Sequence, residues 1–207
     1  MTTDDTRTAD WRRYEPLQLH PILRHSLTAF DEHGYHGTTV RDIAKRLGQT
    51  VPAIYYHFEN KQALLITLLM RSMEDVLHRC ELAAAEAGDD PVARLELLID
   101  CVTRYVAHRR EFIVLDSEIR SLEEDNRAAY VARRDALQAL VRGAVVQGVE
   151  EGVFRTAHPS DAARALLTMC LGIGGWYRPD GPLTPEELGP RYARFALDMV
   201  GHVAPGS

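Results

Sequence analysis

Thr38-Thr39-Val40-Arg41-Asp42-Ile43-Ala44-Lys45-Arg46-Leu47-Gly48-Gln49-Thr50-Val51-Pro52-Ala53-Ile54-Tyr55-Tyr56-His57-Phe58 is the stretch that decides the fold. Val40, Ile43, Ala44 and Leu47 follow the i, i+3, i+4, i+7 spacing of one helix face, with Thr39 as N-cap and Gly48 just past the end. A second short helix starts at Thr50 as N-cap, carries Pro52 in its first turn and ends near Phe58. Two short helices joined by a glycine turn can cross steeply, and Ile43, Leu47, Ile54 and Phe58 supply the apolar contacts that fix the crossing. The first helix can then brace a DNA backbone while the second enters the major groove, its N-terminal residues at the base edges. That groove is about 12 Å wide and admits one helix, so a short helix suffices.

The side chains left over suit that task. Thr50, Val51, Pro52 and Ala53 are small and let the helix N-terminus approach bases. Tyr55, Tyr56 and His57 follow the packed Ile54, and three such residues in a row are hard to bury together on a short helix. Their hydroxyl and imidazole donors suit phosphate oxygens. Lys61 opens the next helix, where a cation opposes the helix dipole, so a phosphate is the partner expected for it.

Outward from this stretch the chain reads as helices. Leu19, Ile22, Leu23, Leu27 and Phe30 form a stripe that stops at Gly34, and Pro21 stands near its start. Asn60 caps a long helix carrying Leu64, Leu65, Leu68, Leu69, Met73, Val76, Leu77 and Cys80. Gly88-Asp89-Asp90-Pro91 breaks the pattern, and helices are predicted at about 91–110, 112–120, 123–152, 159–177 and 185–202. No stretch sustains the period-2 alternation of a strand. The fold class is all-α: a flexible N-terminal arm (1–16), a three-helix helix-turn-helix module (17–62), and a helical effector-binding and dimerisation bundle (63–207).

The charge of −6 over 207 residues argues against a generic nucleic-acid binder, but it is unevenly spread. Up to Lys61 eight acidic side chains meet eight basic ones and five histidines; the remainder holds all the excess acid. A local basic face on the first module is compatible with that total. No apolar run approaches the roughly 18 to 20 residues a membrane crossing needs, and Met1-Thr2-Thr3-Asp4-Asp5 lacks the apolar core of a secretory signal. A cytoplasmic location and no membrane partner are expected. Cys80, Cys101 and Cys170 are widely spaced and read as small core residues in a reducing compartment.

The stretch from about Leu17 to Leu65 resembles the TetR/AcrR family of bacterial transcriptional regulators. The resemblance is carried by Gly34-Tyr35-His36-Gly37-Thr38-Thr39-Val40-Arg41-Asp42-Ile43-Ala44 and by Ala53-Ile54-Tyr55-Tyr56-His57-Phe58-Glu59-Asn60-Lys61. It implies that Thr39 and Arg41 lie at the DNA backbone, that Gln49, Thr50, Val51, Pro52 and Ala53 face bases, and that Tyr55, Tyr56, His57 and Lys61 bind phosphate or groove edges. Gln49-Thr50 stands where Val-Ser is commoner in the family, which bears on the bases read. Pro16 and Pro21 interrupt the family's basic lead-in, which weakens Arg12 and Arg13 as a minor-groove arm.

The resemblance also implies a ligand cavity among the central helices and a homodimer built on the last two long ones. Leu166, Met169 and Ile173, with Tyr192, Phe195 and Met199, recur at spacings that could pair with their copies as a four-helix bundle. Gly172, Gly174 and Gly175 each weaken a helix interior by roughly 0.8–1 kcal/mol relative to Ala, which suggests close approach of a helix or ligand, or a frayed end before Pro179. Trp176-Tyr177-Arg178-Pro179-Asp180-Gly181-Pro182 resembles a segment of a family subgroup whose effectors are acyl-CoA thioesters. An aromatic pair beside an arginine suits an acyl ligand with an anionic head. Excess acid outside the first module keeps a cationic effector in play. Arg104, Arg109 and Arg110 could meet CoA phosphates, but a solvated helix end accounts for them better.

No G-x-S-x-G, P-loop or strand-borne glycine motif is present, and His33 and His36 have no third ligand nearby, so neither catalysis, a cofactor nor a metal is expected. The reading is a ligand-responsive regulator, a repressor released from a palindromic operator by a small apolar or acyl-CoA-type effector. The helix after Asn60, which joins the two modules, is the expected lever. The alternatives are a helical small-molecule carrier or enzyme whose first module is only structural, favoured by turnover without DNA binding, and a protein-interaction bundle.

Overall fold

The computed structural model describes residues 10–202. Its helices are α1 (Pro21–Gly37), α2 (Val40–Leu47), α3 (Val51–His57), α4 (Lys61–Ala87), α5 (Pro91–His108), α6 (Arg110–Asp116), a 3-10 turn (Ser117–Ser121), α7 (Glu124–Glu150), α8 (Pro159–Leu171), α9 (Ile173–Trp176) and α10 (Pro185–Met199). No strand occurs among the described residues, and no helix is long and apolar enough to cross a membrane. The helix predicted over 159–177 is α8 and α9, separated at Gly172, where the backbone keeps right-handed angles.

The chain divides into two compact units. One unit holds residues 16–75 and 109–136; the other holds 76–108 and 137 onward together with the segment before residue 16. Asn60 caps an uninterrupted helix: its Oδ1 accepts from the Ala63 N–H at 2.8 Å, and α4 then runs on to Ala87. Leu64, Leu65, Leu68 and Leu69 are all buried in the first unit.

In that unit α1 packs against α2 and α6. Helical dihedrals in α1 stop at Gly34 (φ 72°, ψ 163°), a conformation that favours glycine, and one further turn follows. Thr38 is buried there, its hydroxyl donating to the carbonyls of Ala29 and Gly34. Leu23, Leu27, Phe30, Ile43 and Ile54 complete the core.

In the other unit α5 packs along α10 and against α8 and α9. Cys80, Cys101 and Cys170 are buried free thiols, and burial pushes Cys170 up to about 12. The arm expected to be flexible is packed where it is described. Trp11 is 2% exposed, and its indole N–H donates to Glu86 at 2.8 Å. Arg12 makes a two-pronged ion pair with the same carboxylate at 2.7 Å on each prong, which holds Glu86 down to about 2. Buried Arg79 donates to the carbonyls of Trp11 and Arg13 and lies 4.1 Å over the Tyr14 ring, which stacks on His108. Residues 1–9 of that arm lie outside the described residues.

Candidate nucleic-acid interface

The geometry starts with two caps. Thr39 and Asp42 form a reciprocal capping box: the Asp42 N–H donates to the Thr39 hydroxyl (3.2 Å) and the Thr39 N–H to the Asp42 carboxylate (2.9 Å). The Thr39 hydroxyl and N–H together hold the Asp42 carboxyl below its usual range. Gly48 closes α2 in the left-handed region (φ 69°), and Thr50 caps α3 by accepting from the Ala53 N–H at 3.3 Å. Ile43 and Ile54 are buried behind these turns. Packing and capping therefore fix which way α3 faces.

The outward side carries most of the residues singled out from the sequence. Thr39, Arg41, Gln49, Thr50, Pro52 and His57 are exposed, and Val51 and Ala53 half-buried. Tyr55 is 49% and Tyr56 85% exposed, an aromatic display that serves no packing purpose within the unit. The His57 ring stands edge-on to Tyr56.

Lys61 is different. Its ammonium donates to the carbonyls of Tyr35 (2.8 Å) and Thr38 (2.9 Å) at the C-terminal end of α1, 4.1 Å over the Tyr35 ring. Partial burial lowers its pKa, with Glu118 opposing. The cation faces the negative end of α1, and main-chain carbonyls take two of its N–H bonds where the sequence led us to expect a phosphate.

Sequence reasoning misses His20. Its ring lies 5.1 Å from that of His57, and its Nδ1 accepts from the Ile22 N–H at 3.3 Å, capping α1. The two imidazoles line a groove with Pro21, Ile22, Leu47, Gln49, Ala53 and Ile54. Only the position just before Pro21, at a helix start, could have flagged His20; its distance from residue 57 along the chain hides the pairing.

The effector-unit residues do not converge as the sequence suggests. Trp176 is half exposed and Arg178 exposed, whereas Tyr177 is buried at 5%. Leu166 and Ile173 are fully buried, so neither can belong to a seam between copies, because one helical face cannot serve the protomer core and a partner at once. The apolar side chains that α8, α9 and α10 do present outward are Leu171, Trp176, Phe195 and Met199, with Met169 and Tyr192 half-buried. Arg104 and Arg109 are not a solvated helix end. Arg104 is buried against Asp100 at 2.5 Å, and Arg109, in the first unit, lies buried 3.8 Å from Asp75 of that same unit. His33 and His36 have protein neighbours: His33 lies by Glu32 and Arg46, and His36 by the Ser121 hydroxyl at 2.8 Å. No metal-holding cluster occurs among the described residues.

Comparison with known proteins agrees with this geometry. Residues 22–68 match the model of bacterial regulatory proteins of the tetR family, and residues 88–200 match a tetracyclin repressor-like C-terminal domain. The HTH-type transcriptional repressor KstR2 of Mycobacterium tuberculosis (strain ATCC 25618 / H37Rv) is 29% identical over 192 residues, covering 91% of this chain and 92% of that one. Among solved structures, the TetR family regulator PfmR from Thermus thermophilus matches with TM-score 0.78 and 31% identity, over 88% of this chain and 98% of its own. AibR, solved in complex with isovaleryl coenzyme A and operator DNA, matches with TM-score 0.74 and 28% identity, over 88% and 97%. With its helix-turn-helix and its C-terminal helical domain both matched, the chain belongs to the tetR family of bacterial regulatory proteins.

Proposed function

We propose that this regulator is a homodimeric repressor that leaves a palindromic operator when a small apolar or acyl-CoA-type effector binds its C-terminal helical domain. The observation that carries the DNA half is the outward face of α3, where Tyr55 and Tyr56 stand exposed beside Gln49, Thr50 and Pro52 on a helix fixed from behind by Ile54. Thr39 and Arg41 at the start of α2, with Tyr55, Tyr56 and His57, take backbone phosphates; residues 49–53 meet base edges. The effector half is supported by the resemblance to AibR, whose structure holds both isovaleryl coenzyme A and operator DNA, and by relatives named KstR2 repressors. Trp176 and Arg178 are the outward-facing residues offered to such a ligand. The protein works in the cytoplasm, binds DNA rather than catalysing a reaction, and needs no cofactor.

A ligand shifts operator affinity only through a difference in its own affinity for the two states. A coupling of about 1–3 kcal/mol corresponds to several-fold to about a hundred-fold weaker operator binding, and operator DNA then weakens ligand binding by the same factor. Selection from randomised DNA, followed by titration of isovaleryl coenzyme A, longer acyl-CoA thioesters and free fatty acids into the protein–operator complex, tests both halves. An enriched palindrome released by a thioester is the expected result. Ligands that bind without changing operator affinity would refute the coupling.

A further inference from the structure

Residues 10–15 belong to the same compact unit as the C-terminal helices, whereas the chain from Pro16 onward, with all of α1, belongs to the DNA-reading unit. The segment is held at three points in its own unit. Glu86 of α4 takes the Trp11 indole N–H and both prongs of Arg12. Arg79 of α4 donates to the carbonyls of Trp11 and Arg13. The Tyr14 ring lies 4.1 Å from the Arg79 guanidinium and stacks on His108 of α5, centroids 4.1 Å apart. In the DNA-reading unit the chain is held again, by buried Leu19 and by His20, whose Nδ1 caps α1. Between Glu15 and Leu19 stand only Pro16, Leu17 and Gln18, and the proline ring fixes one φ. A connection so short passes on a displacement of Tyr14 and has little slack to absorb it.

The grip on Tyr14 continues to the residues offered to an effector. His108 Nε2 is 3.4 Å from the Glu186 carboxylate in the first turn of α10. Arg104, paired with Asp100, is 3.9 Å from the same carboxylate. Burial first, and the Glu186 charge second, raise the pKa of the Tyr177 hydroxyl, so those two side chains sense one another. The Tyr177 ring in turn stands edge-on to Trp176, centroids 6.4 Å apart. Trp176, Tyr177, Glu186, His108 and Tyr14 thus form one run of neighbours, every member in the effector unit.

We propose that the Trp11–Tyr14 segment is a strap that carries effector binding to the start of α1. Fastened on Glu86 and Arg79, it holds the operator-binding state; an effector at Trp176 and Arg178 unfastens it by moving Glu186 and His108. This rests on the effector-released repressor reading above and adds to it a further covalent link, besides α4, between effector and DNA reader. A strap has a consequence that a merely structural segment lacks. Loosening it moves the protein towards the state the effector prefers, so operator affinity falls while effector affinity rises. Lost packing alone weakens both or neither.

The test uses the full-length protein, the palindrome recovered by selection, and isovaleryl coenzyme A and longer acyl-CoA thioesters as probes. Operator affinity is read by fluorescence anisotropy and thioester affinity, without DNA, by calorimetry. In wild type, thioester binding should raise hydrogen exchange at residues 11–15, and unchanged protection overturns the strap. Glu86→Gln removes the charge that holds Arg12, and Tyr14→Ala removes the ring that meets Arg79 and His108. Glu86 is exposed, so its variant leaves the core intact. Each variant should bind operator about three- to ten-fold more weakly and the thioester about three- to ten-fold more tightly. Opposite shifts in either variant support the strap. Affinities unchanged in both, or falling together in a variant that melts cooperatively, overturn it. If no thioester alters wild-type operator affinity, the release reading falls and the strap with it; a wild-type release that both variants reproduce unchanged removes the strap alone.

Discussion

The carboxylate of Asp100 in α5 occupies the space that a side chain on Gly189 in α10 would need. A Cβ at 189 would stand 1.6 Å from Asp100 Oδ1, far inside van der Waals contact, and 3.1 Å from Arg104 Nε. Asp100 and Arg104 are a buried ion pair at 2.5 Å, and it is the missing side chain that lets α10 close over it. Helix propensity and packing therefore make opposite forecasts for Gly189→Ala. Propensity alone gives a gain of about 1 kcal/mol, whereas overpacking against a buried charge pair costs about 1–3 kcal/mol and wins. The expected outcome is a lower urea midpoint; a raised midpoint would show that the pair moves freely.

The packed segment around Trp11 hangs on one carboxylate. Arg12 first, and the Trp11 indole second, hold Glu86 down to about 2. A carboxyl whose folded value lies below its unfolded one, about 4.3, contributes its full stability above the unfolded value and loses it as pH falls through the folded one. Between roughly pH 4.5 and pH 2, then, the segment should come loose. Glu86→Gln should do the same at neutral pH. Trp11 emission reports it, in a Trp176→Phe background that leaves one indole: the buried ring should shift to the red on release. Emission unchanged in Glu86→Gln would mean that Arg79, bonded to the Trp11 and Arg13 carbonyls, holds the segment by itself.

Lys61 is expected to act on stability and not on the salt dependence of DNA binding. Its ammonium is engaged by the Tyr35 and Thr38 carbonyls, so Lys61→Met should remove about 1.5–3 kcal/mol, reduced in proportion to its partial exposure. Log affinity against log salt should keep its slope, because no phosphate contact is lost. A slope lower by about one per protomer would return Lys61 to the phosphate contacts. Gln49→Ala should behave in the opposite sense, leaving the melting temperature alone and changing the preference among operators.

Short-range signals carried most of what the sequence reveals. Thr39, Gly48, Thr50 and Asn60 act through neighbours three or four residues away, and each cap stands where its residue type predicts. The exposure of Tyr55 and Tyr56 follows from the same local logic. What could not be read depends on partners distant in the chain. Lys61 meets carbonyls 23 and 26 residues back, and Trp11 meets Glu86 across 75 residues. Periodicity gave Leu166 and Ile173 an apolar face but could not say whether that face meets the protomer's own core or a second copy. An apolar stripe shows which side of a helix is drawn away from water, not what covers it.

Burial now separates the two possibilities at the seam. Phe195 and Met199 lie seven and eleven residues beyond Leu188 on α10, yet Leu188 is buried while Phe195 is 52% and Met199 45% exposed. Apolar side chains of that size, with Leu171 outward on α8, form the surface that a second copy would cover. Phe195→Asp should put an unpaired charge into that contact and shift the protein to monomer, with helix content and the monomer's own melting retained. Leu166→Asp should instead unfold the C-terminal unit, since Leu166 has no exposed surface to rearrange. Light scattering and circular dichroism on the two variants distinguish the outcomes. A Phe195→Asp protein that remains a dimer at micromolar concentration would place the seam on another face, and a folded Leu166→Asp monomer would restore that residue to it.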